Sequence, residues 1–271
     1  MQIPKPFVRE AGAGAPVVCL HANASSSAQW RGLMEVLSPA CRVLAPDGYG
    51  SGKSPPWPLR REMFLEDEVD FLEPVFSQAG ASFAIVGHSY GAAVGLKAAL
   101  RHPGRVSALA LYEPTLFALV DAQAPPPNGV DGIRHAVAAS VEALGRDDRD
   151  DAARHFIDYW MGEGSWAATP PQRKPPIADA MAHVGHWTHA LFKEPAPLEA
   201  FGRLDVPVLY MMGDRSPESA HAVARVLVPM LPQVTTVRFP DLGHMAPVSH
   251  PEAVNAAIAQ FLGEVRSARG P

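Results

Sequence analysis

The residue best suited to nucleophilic chemistry is Ser89, at the centre of the pentapeptide Gly-His-Ser-Tyr-Gly (residues 87–91). The apolar run 83–86 before it predicts a strand, and the small residues 92–100 after it predict a helix. A serine at such a sharp turn has a strained backbone, and the residues two before and two after it must be small. The pattern predicts that Ser89 Oγ stands above a helix N-terminus, where backbone N–H groups can stabilise an oxyanion.

A serine nucleophile needs a base to accept its proton and a carboxylate to orient that base, and two later residues fit these roles. Asp214 follows the apolar run 206–212 after a single glycine, and His244 follows the predicted strand 235–239. Taken alone, Ser89 could be an ordinary turn serine, Asp214 a helix N-cap and His244 a loop histidine. Their chain order, each after a strand, predicts Ser89 as nucleophile, Asp214 as orienting acid and His244 as general base.

The elements that must position these side chains alternate along the chain. Short apolar runs, each followed by a helical pattern or a polar loop, predict the strands 16–20, 41–45, 83–86, 106–112 and 206–212. Residues 235–239 predict a last strand, and residues 7–10 predict a short edge strand. The apolar runs lack polar alternation, which is typical of a parallel sheet buried on both faces. The sequence therefore predicts an α/β fold with a doubly wound, mostly parallel sheet.

The alternation of predicted strands and helices stops at Pro114 and resumes near residue 205. Residues 115–204 are helical in pattern, rich in proline and aromatic, and we expect them to form a helical cap over Ser89. The predicted division is a core of residues 1–114 and 205–271 with the cap inserted. Trp160, Trp166 and Trp187 are the leading candidates to line an apolar substrate pocket, although packing inside the cap explains them equally well.

Composition limits the possible partners. The 271 residues are 47% hydrophobic, enough for a sizeable core, and the net charge of -5 argues against nucleic acid or an anionic membrane as partner. Cys19 and Cys41 lie in apolar runs and are predicted to be buried free thiols. Without a signal-peptide pattern or a run of membrane-spanning length, we expect a soluble, cytoplasmic protein that binds a small-molecule substrate. The sequence leaves a homodimer open.

Two other patterns resemble known sites but fail on spacing. Residues 48–54 suggest a phosphate-binding loop, but Asp47 occupies the position of its first glycine, and prolines at 55 and 56 prevent the helix that should follow. Histidines at 183, 186 and 189 would lie on successive turns of a helix, about 9 Å from first to last along its axis, so they cannot easily meet one metal ion. The sequence therefore predicts neither an NTPase nor a metal site.

Taken together, these features resemble the α/β-hydrolase superfamily over essentially the whole chain. The matching segments are Leu-His-Ala-Asn at 20–23, the Gly-rich loop 47–54, the pentapeptide 87–91, Gly-Asp at 213–214 and Gly-His at 243–244. The resemblance implies an oxyanion hole formed by the N–H groups of Asn23 and Tyr90, with no metal or organic cofactor. The chain departs from the family at Ala22, where a glycine is usual. Members that form an ester on aspartate carry Asp at the nucleophile elbow, the strand-to-helix turn that contains Ser89 in this chain. The serine therefore argues against dehalogenase or epoxide-hydrolase chemistry here.

Two other carboxylates compete for the role of orienting acid. Glu113 also ends an apolar strand, and some members of the superfamily carry the acid there; Asp241 lies only three residues before His244. We favour Asp214 because the Gly-Asp pair matches the commoner family pattern and an open loop follows it, whereas Glu113 is followed at once by Pro114.

The expected activity is hydrolysis of a small, apolar carboxylic ester through an acyl-enzyme, as in a carboxylesterase. A carbon–carbon bond hydrolase, a cofactor-free lyase or a perhydrolase would use the same triad. A non-catalytic receptor with a small ligand under the cap is the alternative from another class, and the intact triad argues against it.

Overall fold

A single seven-stranded sheet forms the centre of the protein. The computed structural model describes residues 5–269; residues 1–4, where no signal peptide is predicted, lie outside the described part. The strands are β1 (Val8–Ala11), β2 (Ala15–Leu20), β3 (Cys41–Pro46), β4 (Phe83–His88), β5 (Val106–Tyr112), β6 (Val208–Gly213) and β7 (Val234–Phe239). Each strand predicted from the sequence is present within a few residues of its expected bounds.

The strand order is β1-β3-β2-β4-β5-β6-β7, and only β1 pairs antiparallel, at the edge against β3. The predicted fold class, a mostly parallel doubly wound sheet, is confirmed. Because β4, β5 and β6 are neighbours and run in the same direction, the loops that leave their carboxyl ends lie side by side. The segments that contain Ser89, Glu113 and Asp214 all begin at this edge.

Helices cover both faces of the sheet. They are α1 (Arg31–Leu37), α2 (Leu65–Ala79), α3 (Tyr90–Arg101), α4 (Phe117–Gln123), α5 (Asp131–Gly145), α6 (Arg149–Met161), α7 (Ser165–Ala168), α8 (Lys174–Ala180), α9 (Val184–Phe192), α10 (Leu198–Phe201), α11 (Glu218–Leu227), α12 (Ala246–Ser249) and α13 (Pro251–Arg269). Helices α4 to α10 lie between β5 and β6, in the segment expected to form the cap (residues 115–204). Within residues 5–269, no helix has both the length and the hydropathy that crossing a bilayer requires.

The side chains of β2 illustrate why the strands lack polar alternation. Val18 and Leu20 pack into the hydrophobic cluster that contains α2 and α3, whereas Val17 and Cys19 pack into the cluster on the other face, with α1 and α13. Both faces of the strand are therefore buried. Cys19 and Cys41 are buried free thiols, as predicted.

Polar contacts join the cap segment to the sheet and its helices. The Tyr159 hydroxyl on α6 donates to Ser219 Oγ on α11 across 2.8 Å. Lys97 Nζ on α3 lies 2.9 Å from Glu194 Oε1, two residues after α9, and the Glu194 side chain is only 1% exposed. These contacts hold the helices between β5 and β6 against the helices that flank the sheet.

Candidate active site

Ser89 lies at a sharp turn between β4 and α3. Its backbone angles are φ 56° and ψ −116°, a left-handed conformation that costs energy for a residue with a side chain. A Cβ at Gly87 would lie 2.6 Å from Ala92 Cα, and one at Gly91 would lie 2.3 Å from the Leu20 carbonyl oxygen. Glycine is therefore required on both sides of the serine, as the pentapeptide predicts.

Ser89, His244 and Glu113 form a continuous hydrogen-bonded chain. Ser89 Oγ lies 2.9 Å from His244 Nε2, and His244 Nδ1 lies 2.6 Å from Glu113 Oε2. The three residues are 6%, 2% and 1% exposed, so water hardly competes for these bonds. With the proton on Nδ1 directed at the carboxylate, Nε2 is free to accept the serine proton.

Glu113 is held by two further donors. Its Oε1 atom accepts the Gly213 N–H at 2.7 Å and the Ser216 hydroxyl at 2.6 Å. The residue has a φ of 45° directly after β5, and such strained backbone concentrates at functional sites. Both oxygens of this buried carboxylate are thereby satisfied, and the oxygen that faces His244 has a fixed position.

The prediction that Asp214 orients His244 is wrong in the geometry of this site. The Asp214 backbone N–H pairs with the Phe239 carbonyl oxygen, and its side chain turns outward, where Oδ1 accepts from Arg238 Nε at 2.8 Å. The Asp214 side chain is 34% exposed. The other rival, Asp241, is 83% exposed and pairs with Arg215. Glu113 is the carboxylate that contacts His244.

Two residues missed by sequence reasoning hold the loop that carries His244. His88 Nε2 donates to the His244 carbonyl oxygen at 2.8 Å, and the Tyr112 hydroxyl donates to the Gly243 carbonyl oxygen at 2.8 Å. Burial and the nearby His244 lower the pKa of His88 well below its ordinary value, so His88 is a neutral donor. The sequence feature that could have identified His88 is its position directly before Ser89.

The predicted oxyanion loop is linked to the same network through Gln29. Gln29 Oε1 accepts the Ala22 N–H at 3.2 Å, while Gln29 Nε2 lies 3.1 Å from His88 Nδ1. The next residue, Asn23, lines one cavity together with Ser89 and a second cavity together with Tyr90. The candidate donors Asn23 and Tyr90 therefore lie beside the serine.

The first of these cavities, called here the Ser89 cavity, lies between the serine and the segment 115–204. Besides Ser89 and Asn23 it is lined by apolar side chains and two threonines, namely Thr115, Phe117, Ile133, Val137, Phe156, Trp160, Val184, Trp187, Thr188, Leu191 and Phe192. Most of these residues belong to the cap segment. The cavity therefore suits an apolar group of a substrate that is held against Ser89.

The three predicted pocket tryptophans differ in position. Trp187 lines the Ser89 cavity, and Trp160 does so while its ring stacks on His244, with centroids 3.8 Å apart and planes at 23°. Trp166 lines neither that cavity nor the second one. It is 2% exposed inside the cap segment, with Lys174 Nζ over its ring. The expectation of a pocket role is therefore corrected for Trp166, which packs within the cap segment.

The patterns rejected at the sequence level form local contacts. Asp47 accepts the backbone N–H groups of Ser27 and Lys53 at 2.6 and 2.9 Å, so the Gly-rich loop is fixed by its own chain. His186 Nδ1 lies 3.5 Å from Glu62 Oε2, and the His189 ring meets Phe64 edge-on. Across residues 5–269, no three His, Cys, Asp or Glu side chains converge as a metal site would require.

The second cavity, called here the Glu68 cavity, contains a buried carboxyl group. Glu68 Oε1 accepts the Tyr49 N–H at 2.9 Å, and Oε2 accepts the Tyr90 hydroxyl at 3.2 Å. Burial raises the pKa of Glu68 from its ordinary 4.5 to about 7, and the negative charge of Asp67 adds to the effect. The stabilising contribution of this group is therefore complete below pH 4.5 and is lost as the pH rises through 7.

Glu68→Gln should accordingly flatten the pH dependence of stability. Between pH 5 and 8, we expect the free energy of unfolding to fall by about 2 kcal/mol more in the wild type than in this variant. Urea denaturation at the two pH values measures the difference. Glu35→Gln, which changes an exposed carboxylate on α1, should behave like the wild type. Equal pH slopes for Glu68→Gln and wild type would contradict this account of the buried carboxyl group.

Comparison with known proteins provides an independent view of the fold. A family model described as alpha/beta hydrolase fold matches residues 15–251. A hydrolase from Pseudomonas aeruginosa superposes with a TM-score of 0.74 at 22% identity, over 94% of this chain and 93% of that one. A thermophilic esterase from Thermogutta terrifontis gives 0.73 at 22% identity, over 96% and 93%. At these identities the structures support the fold alone.

Curated sequences with similarity to the chain carry several activities. A haloalkane dehalogenase from Agrobacterium fabrum is 39% identical over 110 residues, which are 40% of this chain and 35% of the dehalogenase. A 2-hydroxy-6-oxo-6-(2'-aminophenyl)hexa-2,4-dienoic acid hydrolase from Metapseudomonas resinovorans is 27% identical over 263 residues, 93% of this chain and 86% of that protein. The match thus spans about a third of the dehalogenase but most of the dienoic acid hydrolase.

Proposed function

Because the chain belongs to the alpha/beta hydrolase fold family, we propose that it is a serine hydrolase that cleaves small, uncharged carboxylic esters through an acyl-enzyme. The observation that carries this proposal is the buried chain of contacts from Ser89 Oγ through His244 to Glu113, at 2.9 and 2.6 Å. Hydrogen bonds connect the nucleophile to the base and the base to the orienting acid, which is the arrangement that acyl transfer requires.

The proposed reaction proceeds in two halves. His244 Nε2 takes the Ser89 proton while Oγ attacks the ester carbonyl, and Glu113 stabilises the resulting imidazolium. The N–H groups of Asn23 and Tyr90 hold the oxyanion, and each such donor is typically worth about 10²–10³ in rate. His244 then protonates the leaving alcohol, and the same residues activate water to hydrolyse the ester formed on Ser89.

The lining of the Ser89 cavity favours an uncharged acyl group. No lysine or arginine of residues 5–269 lines either that cavity or the Glu68 cavity. A carboxylate taken into an apolar cavity without a cation pays a large desolvation cost. This argues against a dienoic acid as substrate, which is the class in the name of the Metapseudomonas resinovorans relative. Carbon–carbon bond hydrolysis is the second candidate function, because that relative matches most of the chain.

The nucleophile separates the proposal from dehalogenation. As the resemblance to the superfamily implies, dehalogenases and epoxide hydrolases form their covalent ester on an aspartate at the elbow, and this chain has Ser89 there. A serine adduct formed by displacing halide would be an ether, which water cannot readily cleave. The local similarity to a haloalkane dehalogenase therefore does not extend to its chemistry.

A pair of substrates of equal length tests the proposal. We expect kcat/KM for p-nitrophenyl hexanoate to exceed that for the mono-p-nitrophenyl ester of adipic acid at least tenfold, because only the second ester carries a charge into the cavity. Initial rates of p-nitrophenol release measure both. Equal rates would contradict the uncharged specificity. Cleavage of a 2-hydroxy-6-oxo-dienoic acid, together with inertness to both esters, would replace ester hydrolysis by carbon–carbon bond hydrolysis.

A further inference from the structure

Thr115 is one of the residues that line the Ser89 cavity, and it carries an unpaired hydroxyl. The residue is 1% exposed, and its Oγ1 atom has no hydrogen-bond partner among residues 5–269. It lies two residues after Glu113, between β5 and α4, and its carbonyl oxygen accepts the Phe117 N–H at 2.9 Å. The backbone that carries the hydroxyl is therefore fixed close to the orienting carboxylate.

The surroundings make this hydroxyl unusual. The great majority of buried polar side chains are hydrogen-bonded, because an unpaired one forfeits its bonds to water. Valine has nearly the shape of threonine and would fill the same place without that cost. The other threonine at the cavity wall, Thr188, donates to the Val184 carbonyl oxygen of its own helix at 2.7 Å. Thr115 alone of the two retains an unused donor, beside the predominantly apolar side chains of the cavity.

We propose that Thr115 Oγ1 is a specificity-determining group that binds an uncharged oxygen on the acyl part of the substrate, away from the scissile ester. This rests on the proposed function. A carbonyl or ether oxygen would accept the free Thr115 proton, and a hydroxyl could also donate in return. A carboxylate is the wrong ligand, because one hydroxyl without a cation does not offset the desolvation of a charge.

The substrate class follows from this contact. The enzyme should favour oxo- or hydroxy-acyl esters over plain alkanoyl esters of the same length. An apolar acyl group fits the cavity equally well in shape but leaves the Thr115 hydroxyl unpaired. A site that is built to bond a substrate oxygen discriminates against the analogue that lacks it through this unmet bond.

The test compares p-nitrophenyl hexanoate with the 4-oxo- and 5-oxohexanoate esters in wild type and three variants. In the wild type, we expect at least one oxo ester to exceed hexanoate in kcat/KM. Thr115→Val should lower that oxo-to-plain ratio about tenfold, whereas Thr115→Ser should retain most of it. Thr188→Val, whose lost hydroxyl is already bonded to its helix, should keep the wild-type ratio. Melting temperatures report whether each variant is folded.

The outcomes separate this proposal from the one on which it depends. A wild type that cleaves hexanoate but shows the same ratio as Thr115→Val would overturn the role of Thr115 and leave ester hydrolysis intact. An equal loss on all three esters would also overturn it, because the hydroxyl would then act on a group common to every ester. A wild type that cleaves none of the esters would defeat the proposed function, and this inference with it.

Discussion

Replacement of Ser89 by alanine is expected to lower kcat for p-nitrophenyl hexanoate by about 10⁴-fold or more, while the fold persists. The variant loses the atom that attacks the carbonyl, and only the oxyanion donors and substrate binding remain to accelerate the reaction. Alanine also fits the elbow, since the Ser89 Cβ already occupies the turn. Initial rates of p-nitrophenol release measure this loss in kcat.

Ser77→Ala is the matched control, because Ser77 is an exposed serine on α2. It should retain wild-type rates. Near-normal turnover by Ser89→Ala, with an unchanged melting temperature, would exclude Ser89 as the nucleophile and would leave His244 without the partner that the geometry gives it.

Replacement of Glu113 by glutamine should lower kcat by roughly 10³–10⁴-fold, as loss of the orienting carboxylate does in serine proteases. The glutamine carbonyl can still accept from Gly213 and Ser216, which leaves its amide group facing His244 Nδ1. An amide donor favours the tautomer with the proton on Nε2, and that tautomer cannot accept the serine proton. KM should change little, because Glu113 does not line the Ser89 cavity.

Asp214→Asn is the matched control for this experiment, and we expect it to lose less than about tenfold in kcat, because it changes only a half-exposed pair with Arg238. The opposite result, a crippled Asp214→Asn beside an active Glu113→Gln, would mean that the working enzyme rearranges the loops after β5 and β6 from the arrangement described here.

The choice between these two acids marks the limit of what the sequence could predict. Both follow neighbouring parallel strands, so the apolar runs correctly bring both to the same edge of the sheet. The two acids differ in the direction of their side chains. The backbone at Glu113 is left-handed, and its carboxylate meets donors from Gly213 and Ser216, whereas Asp214 turns toward Arg238. Neither the backbone angle nor these long-range partners can be deduced from strand patterns.

The elbow was predictable for the opposite reason, because its requirements are local. Gly87 and Gly91 are needed within two residues of Ser89, and the strand and helix on either side have clear patterns. The positions of the tryptophans in the cap segment again depend on long-range contacts. Trp160 and Trp166 lie on the successive helices α6 and α7 of the cap segment, yet one stacks on His244 and the other packs within that segment. Aromatic content alone cannot distinguish the two.

The most direct test of the central claim is the mass of the protein after reaction with a fluorophosphonate, which phosphonylates activated serines. Intact-protein mass spectrometry should detect one adduct on the wild type, and peptide mapping should assign it to Ser89. The Ser89→Ala variant should remain unmodified, and Glu113→Gln should react far more slowly than Asp214→Asn. An unmodified wild type, or an adduct that persists in Ser89→Ala, would contradict a serine hydrolase built on Ser89, His244 and Glu113.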